Sequence, residues 1–163
     1  MATALFFTRE YFDHLKLAAK TGLAAIASLY FAHMLRMPES YWAAISAIIV
    51  MYSDVGKTVS ASWHRLIGTA IGVSIGAAFA AGFGARMWAF GVAVTLTMLV
   101  CALIGFAEAA RLAGVAVAIV MLVSHSGTPW ITALHRFLEV SFGIVSAVLV
   151  SVLVWPAREP EDL

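Results

Sequence analysis

The chain has 163 residues, of which 63% are hydrophobic and only 12% charged, with a formal net charge of +1 and a mean hydropathy of +0.96. So little polar surface cannot cover a water-soluble globule, which makes this an all-α or barrel-type integral membrane protein. The net charge itself says nothing useful about nucleic-acid or acidic partners, and no nucleic acid is expected; a lone Cys101 excludes an intramolecular disulfide or a cysteine-based metal centre.

The N-terminal stretch M-A-T-A-L-F-F-T-R-E-Y-F-D-H-L-K mixes acids with bases and has no apolar run ending in a small-residue cleavage site, so the first hydrophobic segment is expected to remain as a span. Apolar runs follow at about 21–35, 41–52, 66–83, 87–107, 112–123 and 137–155. None alternates as a barrel strand does, and lipid tolerates only backbone that bonds to itself, so six helices are expected. R-M-P-E-S at 36–40, F-G-A-R at 83–86 and E-A-A-R at 108–111 mark breaks, and P-A-R-E-P-E-D-L after Trp155 reads as a solvated tail over 157–163. The second and fifth runs, at about 18 Å of helical rise, are short against a hydrocarbon core of about 30 Å.

On the first helix, Lys20 lies one turn after Lys16, with Asp13 on the same side. It either snorkels to the interface or sits just inside the membrane boundary. After the second run comes S-D-V-G-K-T at 53–58, which ends like a phosphate-binding loop. Met51 occupies the place of that motif's first glycine, and a helix-like run stands where a strand is required, so the element is read as a connection leaving a short helix. Gly56 permits a turn there, Lys57 offers a cation beside a pathway, and Asp54 pairs locally or carries protons.

The third run holds Gly68, Gly72 and Gly76 on one helix face, a small-residue stripe for close helix packing. Arg65 and Arg136 each precede a long apolar run. Either they anchor in headgroups or they face a wet cavity. Glu139, three residues after Arg136, forms an i,i+3 pair with it, whereas Gly68 stands at the same place after Arg65. Histidines 14, 33, 64, 125 and 135 show no metal-ligand spacing, so no metal and no cofactor are expected. Trp42, Trp63, Trp130 and Trp155 lie near segment ends, as an interfacial belt would. No nucleophile and base stand at workable spacing, which argues against an enzyme.

A repeat is visible in the connections. S-D-V-G-K-T-V-S-A-S-W-H-R from 53 aligns with S-H-S-G-T-P-W-I-T-A-L-H-R from 124, placing His64-Arg65 over His135-Arg136 at an offset of 71, with Gly72 over Gly143 in the same register. Each copy holds three spans, about 11–83 and 84–156, so the second would be inverted. Inverted repeats with a short helix at matching places point to a transporter site near the bilayer midplane. With the N-terminus inside, Arg9, Lys16, Lys57, Arg65, Arg111 and Arg158 fall in the cytoplasm against Arg36, Arg86 and Arg136 outside, so both termini are expected to be cytoplasmic.

The residues that carry most of this pattern also carry a resemblance. Y-W-A-A-I-S-A-I-I-V-M at 41–51, the Gly-Lys-Thr turn, R-L-I-G-T-A-I-G-V-S-I-G at 65–76, H-R-F-L-E-V-S-F-G at 135–143 and V-W-P-A-R at 154–158 resemble the membrane half of the aromatic acid exporter superfamily. That group includes fusaric-acid-resistance-like proteins and is distantly related to plant aluminium-activated malate transporters. The resemblance covers 15–158 and implies export or channel-like passage of organic anions, aromatic carboxylates above all, by six helices per unit assembled as dimers in a bacterial inner membrane. The expected pathway residues are then Arg65, Lys57, Arg136, His135, His64, Lys20, Asp54 and Glu139. The partners are lipid, the anion and a second copy of the chain. The alternative is a non-transporting membrane subunit that scaffolds or regulates a partner complex.

Overall fold

The computed structural model describes residues 2–123 and 128–155, with side chains from Tyr11 onward. The tail at 157–163, Arg158, His125 and the S-H-S-G end of the second repeat copy lie outside the described residues. Among those described, the chain is all helical. The helices are α1 (Ala2–Met34), α2 (Tyr41–Val50), α3 (Val55–Phe83), α4 (Met87–Leu103), α5 (Ala110–Ala118) and α6 (Pro129–Leu153). A 3-10 turn at Ala107–Ala109 leads into α5, and a π-helical turn at Ile119–Val123 continues it.

Three helices are long and apolar enough to cross a membrane: Tyr11–Met34, Val55–Phe83 and Pro129–Leu153. Helix α2 is only 10 residues long, about 15 Å of rise. All three long helices start earlier than hydropathy implies: α1 begins at Ala2 rather than 21. Helix α3 begins at Val55 rather than 66 and α6 at Pro129 rather than 137, because polar residues interrupt an apolar average without interrupting helical hydrogen bonding. Arg65 is therefore ten residues inside α3 and Arg136 seven inside α6, not at helix entrances.

The chain forms two compact units, one made of Met1–Ser62 with Phe142–Leu163 and the other of Trp63–Ser141. Helices α3 and α6 each contribute one end to either unit.

In the first unit, α1 closes with Arg36 in the left-handed region at φ 53°. Its N–H donates to His33 O at 2.9 Å and the Met37 N–H to Ala32 O at 3.1 Å, the paired bonds of a Schellman cap. Pro38 then prevents continuation. Helix α6 seats on α2 through Gly143, where any Cβ would run into the Ala43 carbonyl oxygen and come within 2.7 Å of Ser46 Cβ.

In the second unit, α4 closes through Gly105 at φ 83°, with Gly105 N–H on Ala102 O at 3.2 Å and Phe106 N–H on Cys101 O at 2.8 Å. The glycine stripe of α3 faces α5. A Cβ on Gly68 would stand 2.7 Å from Ala109 O, one on Gly72 would run into Ala113 O and reach 2.8 Å from Ala116 Cβ, and one on Gly76 would meet Val117 Cα at 3.2 Å. Backbone approach of this kind is what holds helices together where lipid removes the hydrophobic incentive. Val73, Ala77, Ala116, Val120 and Ala133 form one small core in this unit, and Ala89, Ala93, Val117 and Met121 another.

Candidate functional site

In the first unit the polar residues gather where α2 gives way to α3. Met51 ends α2 in extended backbone, and Asp54 caps α3 by accepting the Lys57 backbone N–H on Oδ1 at 2.8 Å. Gly56 is already helical, so its role is not to turn the chain. A Cβ there would stand 3.0 Å from Asp54 Oδ1, so the glycine makes room for the capping carboxylate. The Lys57 side chain is exposed.

Thr58, fully buried, fastens this turn. Its hydroxyl lies 2.9 Å from Asp54 O and 3.3 Å from Tyr52 O, and accepts the Tyr52 N–H at 3.1 Å. Ser151, also fully buried, donates to it from α6 at 3.4 Å. Neither hydroxyl is assigned a role by the sequence. Thr58 closes the S-D-V-G-K-T connection, where Asp54, Gly56 and Lys57 drew the reading, and Ser151 is a hydroxyl inside an apolar run, which is too common to single out.

Lys20 belongs to the same cluster. It lies nine residues after Tyr11, about 14 Å along the helix by rise, and is 2% exposed. Its ammonium donates to Ser53 O across a long 3.5 Å, and the Asp54 carboxylate acts on it electrostatically. The apolar run read from the sequence starts at residue 21, which placed Lys20 at a boundary. The helix itself starts earlier and carries it to mid-span.

In the second unit Arg136 and Glu139 form a buried ion pair, Nη1 to Oε2 at 3.2 Å, both almost wholly excluded from solvent. Arg65 is buried as well, 6% exposed. His64 is half-buried, its Nε2 3.9 Å from Glu108 Oε2 and its ring edge-on to Phe106 at 5.9 Å. His135 is exposed. An open groove of about 390 Å³ runs along the unit, lined by Ala70, Val73, Ser74, Trp130, Ala133, Leu134 and Phe137. Its lining is apolar and aromatic, with no ionisable group. Among the described residues no cluster of His, Cys, Asp or Glu could hold a metal ion.

Long apolar helices with buried cations, a short α2 and glycine-seated packing describe a membrane protein built around charge. The model of the fusaric acid resistance protein family matches residues 14–163. The chain belongs to that family.

Within the family, it is 30% identical to the p-hydroxybenzoic acid efflux pump subunit AaeB of Pectobacterium atrosepticum, over 98% of this chain and 27% of that protein. It is 29% identical to the subunit of the same name from Pectobacterium carotovorum subsp. carotovorum, with the same coverage. A shorter match, 36% identical over 55 residues, joins 34% of the chain to 8% of the uncharacterized transporter YdhK of Salmonella typhimurium. The chain spans about a quarter of the length of the AaeB relatives. No solved structure matches it.

Proposed function

We propose that this chain is a membrane module for the export of small organic anions, aromatic carboxylates foremost. In this reading it works as a homodimer in a bacterial inner membrane with both termini cytoplasmic. The observation that carries the reading is the burial of Lys20 and Arg65 inside long apolar helices of a fusaric-acid-resistance family member. Cations at membrane depth are costly and, where they occur, line substrate and ion pathways. Support for an aromatic cargo comes from the p-hydroxybenzoic acid named for the AaeB relatives.

Matching features of the two units support a two-copy architecture. Gly72 and Gly143, 71 residues apart, make the same approach to a carbonyl and to the Cβ three residues beyond it. The Schellman caps centred on Arg36 and Gly105, 69 apart, use the same bonds. The orientation rests on the excess of basic residues assigned to the cytoplasmic side.

Of the expected pathway residues, Lys20 and Arg65 fit best. Arg136 has its charge met by Glu139, which makes that pair a structural element; Lys57 supplies exposed positive charge nearer the end of its helix, and the His135 ring is exposed. The test is efflux of p-hydroxybenzoate from proteoliposomes containing the purified chain. Arg65→Ala is expected to lower the rate at limiting substrate by tenfold or more; an unchanged rate removes Arg65 from the pathway. The relatives are named as pump subunits, which favours as second reading a module that transports only with a partner. Flux from the purified chain alone decides against it.

A further inference from the structure

We infer that Lys20 is a carboxylate-binding site and that Asp54 is its built-in rival, an internal anion that weakens the hold of Lys20 on cargo so that the cargo is released. This rests on the reading above that the cargo carries a carboxylate.

An ammonium has three N–H donors. Among the described residues Lys20 makes one hydrogen bond, the 3.5 Å contact with Ser53 O, although it is 2% exposed. A buried cation so thinly satisfied is a poor structural element, because desolvation is compensated only by close, well-directed partners. The remaining donors are what a bound carboxylate needs.

Asp54 balances this charge through space, yet it is held where it is by other duties. Its Oδ1 accepts the Lys57 N–H at 2.8 Å. Its carbonyl oxygen accepts from Thr58 at 2.9 Å, and Thr58 is in turn tied to Tyr52 and to Ser151 on α6. With its backbone fixed through Thr58 and one carboxylate oxygen engaged as the helix cap, the Asp54 carboxylate stays in place when a ligand arrives. A second negative charge on Lys20 therefore meets a fixed repulsion, and the affinity is set by Asp54 as much as by Lys20.

Asn and Ser cap helices about as well as Asp, so charge can be separated from capping. Equilibrium binding of radiolabelled p-hydroxybenzoate to the purified full chain in detergent is the measurement, with thermal unfolding run in parallel. Asp54→Asn is expected to tighten binding about fivefold, the scale of a partly screened charge pair. Asp54→Ser carries the same expectation should the Asn variant not fold. Lys20→Gln is expected to weaken binding by at least about tenfold. Wild-type chain that does not bind, an Asp54 variant with normal unfolding and unchanged or weaker affinity, or a Lys20→Gln variant of wild-type affinity each overturns the inference. Binding that follows the expected pattern without flux in proteoliposomes sinks the transport reading alone.

Discussion

The two units keep a buried cation in opposite ways. In the second, Arg136 stands 3.2 Å from the carboxylate of Glu139 and both are sealed from solvent; in the first, Lys20 is also buried, but its one hydrogen bond among the described residues is to a carbonyl at 3.5 Å and Asp54 meets its charge only through space. A close buried pair is costly to break because removal of one member leaves the other charged in a low-dielectric surrounding. A loosely held cation contributes less to stability than a close pair, which is consistent with the ligand-binding role proposed above for Lys20. The difference originates in where the acid stands: Glu139 lies one turn along the same helix as Arg136, whereas Asp54 reaches Lys20 from the turn before α3 and is already engaged as its cap.

The largest expected effect breaks the tight arrangement. Glu139→Ala should lower stability by about 3–5 kcal/mol, read as a fall in the thermal unfolding midpoint in detergent or as loss of the monodisperse peak on size exclusion. Lys20→Met, which keeps the length and removes the charge, should leave stability within about 1 kcal/mol of wild type or raise it, because a poorly compensated desolvated charge is being removed. Equal losses in the two variants would erase the distinction drawn between the units.

Next come the glycine seats, where the units agree. Gly72→Ala and Gly143→Ala each drive a methyl group into a backbone carbonyl that cannot rotate away. Each should cost about 1–3 kcal/mol or more by overpacking. Gly76→Ala, whose nearest neighbour would be Val117 Cα at 3.2 Å, should cost less than Gly72→Ala. If Gly143→Ala unfolds at the wild-type midpoint while Gly72→Ala does not, the α2 seat is looser than the α5 seat.

How far the sequence led can be judged from the same residues. Six helices, a short second element and the break points were legible, because hydropathy and turn residues act locally and any chain in lipid must satisfy its own backbone. The start of α3 was not. The stretch 55–65 carries Lys57, Ser60, Ser62, His64 and Arg65, which lowers hydropathy while leaving helix formation intact, so a hydropathy reading starts the helix eleven residues late. That error moved Arg65 from helix interior to helix entrance. The setting of Lys20 was hidden for a different reason. Its neighbour Ser53 is 33 residues away, and only packing brings α1 to the turn before α3. The duty of Gly56 was concealed likewise, since a glycine beside an aspartate reads equally as a turn or as clearance for a cap.

The units differ again at their helix ends, with a smaller effect. Both left-handed residues of the first unit are non-glycine, Arg36 at φ 53° and Trp155 at φ 46°, whereas those of the second are Gly84 and Gly105. A side chain in this region costs roughly 1–2 kcal/mol, and glycine returns about 0.5–1 kcal/mol of that through the entropy of the unfolded chain. Arg36→Gly should therefore raise stability by about 0.5–1 kcal/mol, and Gly105→Ala should lower it by a similar amount. Unfolding midpoints that move in the same direction for both would show that the matching caps of α1 and α4 are not energetically alike.

The smallest effect isolates helix propensity from packing. A Cβ on Gly22 in α1 or Gly91 in α4 would meet nothing within 4 Å, in contrast to the seats at 72 and 143. Alanine at either position gains roughly 0.5–1 kcal/mol from reduced backbone freedom and loses no contact within its own unit. Gly22→Ala and Gly91→Ala should each raise the unfolding midpoint slightly and equally, one in each unit. A marked drop at Gly91 alone, measured in detergent, would mean that its bare face is covered by something beyond its own unit. In the proposed homodimer, that would point to α4 rather than α1 as the helix through which two copies meet.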